Sequence, residues 1–195
     1  MRSLTIEDLQ TLDEYERGRE EFRRRIIELK RNRRITVGDR ITLVFENRET
    51  LFFQIQEMLR VERIVDPEKI KNELETYNQL MPSAGELSAT LFIEITDAAQ
   101  VKDVLDRFQG IDRGKTVSLR VGPHLVYGTF EQGYSKEDKI SAVHFVRFSI
   151  PERVKAEMSN LQARMELRVN HEDYQAAAAI PDDMRFSLLN DLEEI

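Results

Sequence analysis

The stretch from Thr50 to Ile64 constrains the fold more than any other part of the chain. It carries Leu51, Phe52, Phe53, Ile55, Met58, Leu59, Val61 and Ile64 on so many faces of a helix that most of its surface must meet protein rather than water. Asn47 precedes it as an N-cap, and Glu49 places an acid at the positive helix end. A helix of this kind needs a partner layer on more than one side, and the flanking sequence offers two. Upstream, Leu12, Tyr15, Phe22, Ile26 and Leu29 recur at helical steps and predict a long helix from about Leu12 to Arg34. Its other faces hold Arg17, Arg19, Arg23, Arg24, Arg25, Lys30, Arg31, Arg33 and Arg34 among Glu20, Glu21 and Glu28. Between the two helices, Gly38 marks a turn and Ile41 to Phe45 reads as a short strand. Downstream, Asp66 and Pro67 start a further helix through Ile70, Leu74 and Tyr77 that Pro82 ends.

Beyond Pro82 the period changes from helical to alternating. Leu87, Ala89, Leu91, Ile93 and Ile95 interleave with Ser88, Thr90, Phe92 and Glu94, the pattern of a strand with one buried face. A short helix follows from Asp97 to Gly110, then strands at Thr116 to Val121, Leu125 to Glu131 and Ile140 to Ile150. Pro151 opens a helix with Val154 and Met158, a strand runs from Ala163 to Val169, and Pro181 opens a last helix. Strands this tightly spaced leave no room for helical crossovers. The fold class is therefore α+β, with N-terminal helices packed on a mainly antiparallel sheet and further helices. The chain reads as a single domain over residues 1–195, helical to about residue 82 and sheet-containing from about residue 83.

Chemistry is narrowed by what is missing. With no cysteine among 195 residues, disulfides, thiolate metal sites and cysteine nucleophiles are excluded. Phosphate loops, nucleophile elbows and metalloprotease helices are absent too. A formal charge of −7 weighs against the whole chain acting on nucleic acid, and no apolar run is long enough for a bilayer, so the expected location is the cytoplasm. Whether the chain is an enzyme stays open, and a homodimer stays compatible with the sequence.

Three groups of residues merit attention. Glu57 and Arg60 share a stripe with Phe53 and Ile64, which predicts a buried ion pair, since a charge on a greasy helix face must be matched. Glu57 and Glu62, with His144 from the strand Ser141 to Phe148 and His171 beyond the following strand, compose a carboxylate and imidazole set of the type that holds iron, manganese or zinc. No spacing among the four fixes a ligand pair, and a core histidine with one hydrogen-bond partner is the commoner fate of His144. Arg24, Arg25, Arg31 and Arg34 form a basic surface for a protein partner; without interleaved aromatic residues it makes a poor nucleic-acid interface.

Phe45-Glu46-Asn47-Arg48-Glu49-Thr50, the run Gln54 to Arg60 with Glu62-Arg63-Ile64, Tyr77-Asn78, Pro82, the strand Ser141 to Phe145, His171 and Tyr174 together resemble the bacterial family catalogued as domain of unknown function 3501. Genes of that family often stand beside those for rubrerythrin and a cysteine-rich iron–sulfur oxidoreductase. The resemblance therefore implies a redox or oxidative-stress setting, and it supplies no catalytic residues. The function expected is that of a non-catalytic accessory protein that binds a partner. A metal-binding protein or metal-dependent enzyme is the first alternative and a nucleic-acid adaptor the second.

Overall fold

The computed structural model describes residues 1–131 and 140–193. A single 3₁₀ turn at Ile6–Asp8 leads into helix α1, Leu12–Arg31, whose capping box joins Thr11 and Glu14. Strands β1, Arg34–Val37, and β2, Ile41–Glu46, form a hairpin around Gly38. Helices α2, Arg48–Val61, and α3, Pro67–Asn78, follow, capped by Asn47 and Asp66 as their residue types dictate. Strand β3, Glu86–Ile93, is followed by helix α4, Val101–Arg107, and strands β4, Val117–Val121, β5, His124–Tyr127, and β6, Thr129–Phe130. Then come β7, Val143–Ser149, helix α5, Glu152–Met158, strands β8, Met165–His171, and β9, Tyr174–Ala179, and helix α6, Asp182–Glu193. No helix among the described residues is long and apolar enough to cross a membrane.

The fold is α+β with two antiparallel sheets, ordered β1-β2-β3-β7-β6 and β5-β4-β8-β9. Their inner faces share one core, in which Leu43, Leu91 and Phe148 of the first sheet meet Leu119 and Leu167 of the second, with Leu188 of α6. The sheets join at two seams. At one, the chain passes from β5 to β6 through Gly128, whose N–H still donates to Val117 while the next residues pair with β7. A Cβ there would stand 2.5 Å from Val146, so only glycine lets the crossing strand lie this close. At the other, the Tyr174 hydroxyl of β9 donates to the Val37 carbonyl of β1 and accepts from the Arg40 N–H.

The outer face of the first sheet is covered by α1, α2 and α3, which enclose a second apolar cluster around Leu51, Ile55, Leu59 and Leu74. The layer between helices and sheet is polar. Glu46, almost fully buried, accepts from Thr50 and Gln54 of α2 and from Thr90 of β3. Arg147 of β7 donates to the carbonyls of Gln79 and Met81 and pairs with Glu86 and Glu131.

Four expectations need correction. The first helix stops at Arg31 rather than Arg34, because Arg33 turns into the core and Ile35 and Val37 pair with β2. The strand foreseen at Leu125 to Glu131 breaks at Gly128, and the one foreseen from Ile140 begins at Val143. Strand β9 was not foreseen, since its four alanines carry no strand preference and it exists through pairing with β8.

Candidate functional site

The face of α1 that meets α2 carries Tyr15, Arg19 and Phe22, and the Phe22 ring packs edge-on against Phe52 and Phe53. Glu57 of α2 sits among them. Arg19 grips it bidentately, with Nε–Oε1 2.7 Å and Nη2–Oε2 3.0 Å, and the Tyr15 hydroxyl donates at 2.9 Å. Arg60 lies one turn on, at 3.3 Å from both oxygens. Arg19 thus makes the tighter pair, from a residue that the sequence places on an outer face of α1.

Hydrogen bonds from Arg19, opposed by burial and reinforced by Arg60 and Tyr15, hold the Glu57 carboxyl down to about 2. Burial, with Glu57 as the next cause, pushes the Tyr15 phenol up. Glu57 therefore stays ionised at neutral pH and Tyr15 stays protonated, which leaves neither group as a proton carrier there. The depressed carboxyl makes its stabilising contribution above the ordinary value of 4.5 and loses it as pH falls towards 2. In urea unfolding at pH 7 and pH 3, Glu57→Gln should be clearly destabilising at pH 7 and cost roughly half as much or less at pH 3, where the folded carboxyl is still mostly ionised but the unfolded one is not. An equal cost at both pH values would refute this account of the cluster.

Beside this cluster, between the start of α1, the end of α2 and the start of α3, lies a cavity of about 470 Å³. Its walls are mainly apolar: Ile6, Leu9, Leu12, Leu59, Ile64, Val65 and Ile70, with Gln10, Thr11 and Asp13 as the polar members. Two of its apolar side chains stand in solvent, Ile6 at 45% and Val65 at 72% exposure, and Val61 on the last turn of α2 is exposed as well. Of the polar wall, Thr11 caps α1 and the Gln10 backbone exchanges hydrogen bonds with the Gln56 amide. What remains on offer is mainly greasy surface with Asp13 at its margin.

The four residues of the carboxylate and imidazole set occupy different surroundings. Glu57 is held by α1, and Glu62 caps the end of α2 in solvent. His144 is 1% exposed on the inner face of β7, with Nε2 2.8 Å from the Ser141 carbonyl and its ring edge-on to Phe130. Because Nε2 faces a carbonyl it carries the proton, and burial pushes the imidazole towards the neutral form. His171, the last residue of β8, points Nε2 at the Gln109 carbonyl, 2.8 Å away, and lies against Phe108. Among the described residues, no three histidine or carboxylate side chains converge on a point that could hold a metal ion.

Three of the four arginines singled out as a basic surface lie on α1 and Arg34 opens β1, and all four are engaged. Arg25 reaches Glu49 and covers the Phe22 ring, Arg31 pairs with Glu28, Arg34 pairs with Glu94 across to the loop after β3, and Arg24 donates to the Glu20 carbonyl. Exposed pairs of this kind are weak and can be exchanged for others.

The most deeply committed charges escaped the sequence reading. Arg33, fully buried, donates to the carbonyls of Phe45 and Glu46, to Ser187 and to both oxygens of Asp191. The only sequence hint was the arginine standing immediately before the alternation Arg34-Ile35-Thr36-Val37.

The family described as "Protein of unknown function (DUF3501)" matches residues 3–192. A solved crystal structure of a protein of unknown function from Burkholderia pseudomallei is 35% identical, covers 98% of this chain and 100% of its own, and superposes with a TM-score of 0.90. No curated protein matches the chain.

Proposed function

We propose, from the premise that the chain belongs to the DUF3501 family of proteins of unknown function, that it is a non-catalytic accessory protein that docks a protein partner through the groove between α1, α2 and α3. The observation that carries this reading is the contrast within the helical half. Its ionised cluster at Glu57 is locked in hydrogen bonds between α1 and α2, whereas the neighbouring groove keeps Ile6 and Val65 in water. Apolar surface gathered in a concave site gains free energy when another apolar surface covers it. The arginines of the second half of α1 and Arg34 of β1 each have a local acceptor to lose before they bind another.

The partner belongs to the redox setting that the family resemblance implies. The test is a calorimetric titration of the full chain with purified rubrerythrin and, separately, with a cysteine-rich iron–sulfur oxidoreductase of the kind the family resemblance implies. Saturable binding to one of them is expected, and Val65→Glu should weaken it by roughly tenfold or more, because it sets a charge into a contact that must dry out. Exchanging Arg24, Arg25, Arg31 and Arg34 for glutamate should change the affinity less than the single groove substitution. Absence of binding to both proteins, or indifference to Val65→Glu, overturns the reading.

A further inference from the structure

The second sheet presents a face that no helix covers. Its strands alternate strictly: Val117, Leu119 and Val121 of β4 and Met165, Leu167 and Val169 of β8 enter the core, so Ser118, Arg120, Glu166, Arg168 and Asn170 point outward. Pairing registers place the outward residues in rows across the sheet. One row runs Tyr127, Ser118, Arg168 and Ala177, and the next runs Leu125, Arg120, Glu166 and Ala179. With strands about 4.8 Å apart, the platform is about 15 Å wide.

The charge on this platform is sorted. The chain carries 36 acidic residues against 29 basic ones, yet Glu166 is the sole carboxylate pointing outward from these four strands. Its side chain is 6% exposed, because three guanidinium groups surround it: Arg164 at 2.9 Å, Arg168 at 3.6 Å and Arg120 at 3.7 Å. The three arginines remain between 47% and 78% exposed. One carboxylate thus gathers three half-exposed cations and neutralises only one of them, leaving guanidinium N–H donors to spare for an outside acceptor. Beside the cluster, Tyr127 is 40% exposed with Lys115 4.8 Å from its ring centre, and Asn170 and Gln175 add two outward amides.

We infer that this face binds a short stretch of single-stranded nucleic acid. The platform combines three chemistries that such a strand uses together: fixed cations for phosphates, an aromatic ring for a base, and amides for base edges. An acidic protein segment would match the cations but has no planar base to stack on the ring at each phosphate-spaced step. The flat shape also suits unpaired bases, which lie on an open sheet more readily than a duplex does. This surface is separate from the groove of the helical half and from the arginines of α1, so the inference stands independently of the proposed partner.

The test is fluorescence anisotropy of the full chain with labelled oligouridine and oligothymidine of about eight nucleotides at about 50 mM salt. Saturable binding is expected, with a log–log salt slope of about −2, as for about three phosphates on a single strand. Joint substitution Arg120→Gln and Arg168→Gln should lower affinity by about tenfold or more, and Tyr127→Ala should lower it by roughly fivefold or more through lost stacking. Both changes are on exposed side chains, and an unchanged unfolding midpoint confirms that the platform is still folded. Charge reversal of Arg24, Arg25, Arg31 and Arg34 should leave binding within about twofold if the platform, and not α1, holds the strand. No saturable binding, or binding that survives both platform variants, overturns the inference. So does a polyglutamate peptide of matched charge that binds as tightly and with the same dependence on Arg120 and Arg168, because the occupant is then an acidic protein segment.

Discussion

Arg33→Ala is expected to destabilise the chain by about 3–5 kcal/mol, the cost of removing one partner from a buried ion pair. The guanidinium is buried with five hydrogen bonds, two of them to Asp191, and Asp191 itself is 7% exposed. Truncation leaves a carboxylate inside the protein with its main cation gone, and it strips the Phe45 and Glu46 carbonyls of a donor at the end of β2. The damage is not local, because Arg33 and Asp191 lie 158 residues apart in the chain and the pair pins the end of α1 to the last helix. Urea unfolding should show a lower midpoint with a similar slope. Two companions separate charge from shape. Arg33→Lys keeps the charge and loses the planar fork, so it should fall between the wild type and Arg33→Ala. The double variant Arg33→Met with Asp191→Leu removes both charges and should recover much of the loss, since an apolar pair of similar volume is often as stable as the ion pair it replaces. A loss below about 1 kcal/mol for Arg33→Ala would mean that the pair is hydrated, as surface pairs are.

That pair also shows where sequence reading stops. Helices α2 and α3 and strand β3 were legible because each carries its own period and its own cap: Asn47 for α2, Asp66 and Pro67 for α3, and the alternation from Leu87 to Ile93 for β3. The same local signals fail for Arg33. In sequence it is one more arginine in a basic helix, and only the distant Asp191 and Ser187 give it a reason to be buried. Strand β9 fails for a related cause, since Ala176 to Ala179 would suit a helix and become a strand only because β8 supplies the hydrogen bonds. The division into two sheets was equally hidden, for it depends on Gly128 letting one strand segment change partners. The candidate surfaces were legible in parts. Glu57 was singled out as a charge on a greasy stripe with Arg60 as its mate, but the arginine that grips it more tightly comes from another helix, 38 residues earlier. The sorted platform around Glu166 needs the register of three strand pairs before its arginines are seen to share one carboxylate.

The seam between β1 and β9 yields the second large effect. Gly38 holds φ at +72°, in the left-handed region, and a Cβ built there would lie 2.2 Å from the Tyr174 hydroxyl and 3.0 Å from the Ala176 side chain. Gly38→Ala therefore carries two costs. The backbone conformation alone disfavours an L side chain by about 1–2 kcal/mol. The added carbon must also push the Tyr174 hydroxyl off the Val37 carbonyl and the Arg40 N–H, and each of those hydrogen bonds contributes about 1 kcal/mol. A total of about 2–4 kcal/mol is expected. The two costs separate in a double-mutant cycle with Tyr174→Phe, which deletes the colliding oxygen and both hydrogen bonds at once. In that background Gly38→Ala should cost only the backbone share, so the cycle should return a coupling of about 1–2 kcal/mol between positions 136 residues apart. Simple additivity would place the whole penalty in the turn of the β1–β2 hairpin. Coupling places part of it in the closure of one sheet against the other, where Tyr174 serves as the latch.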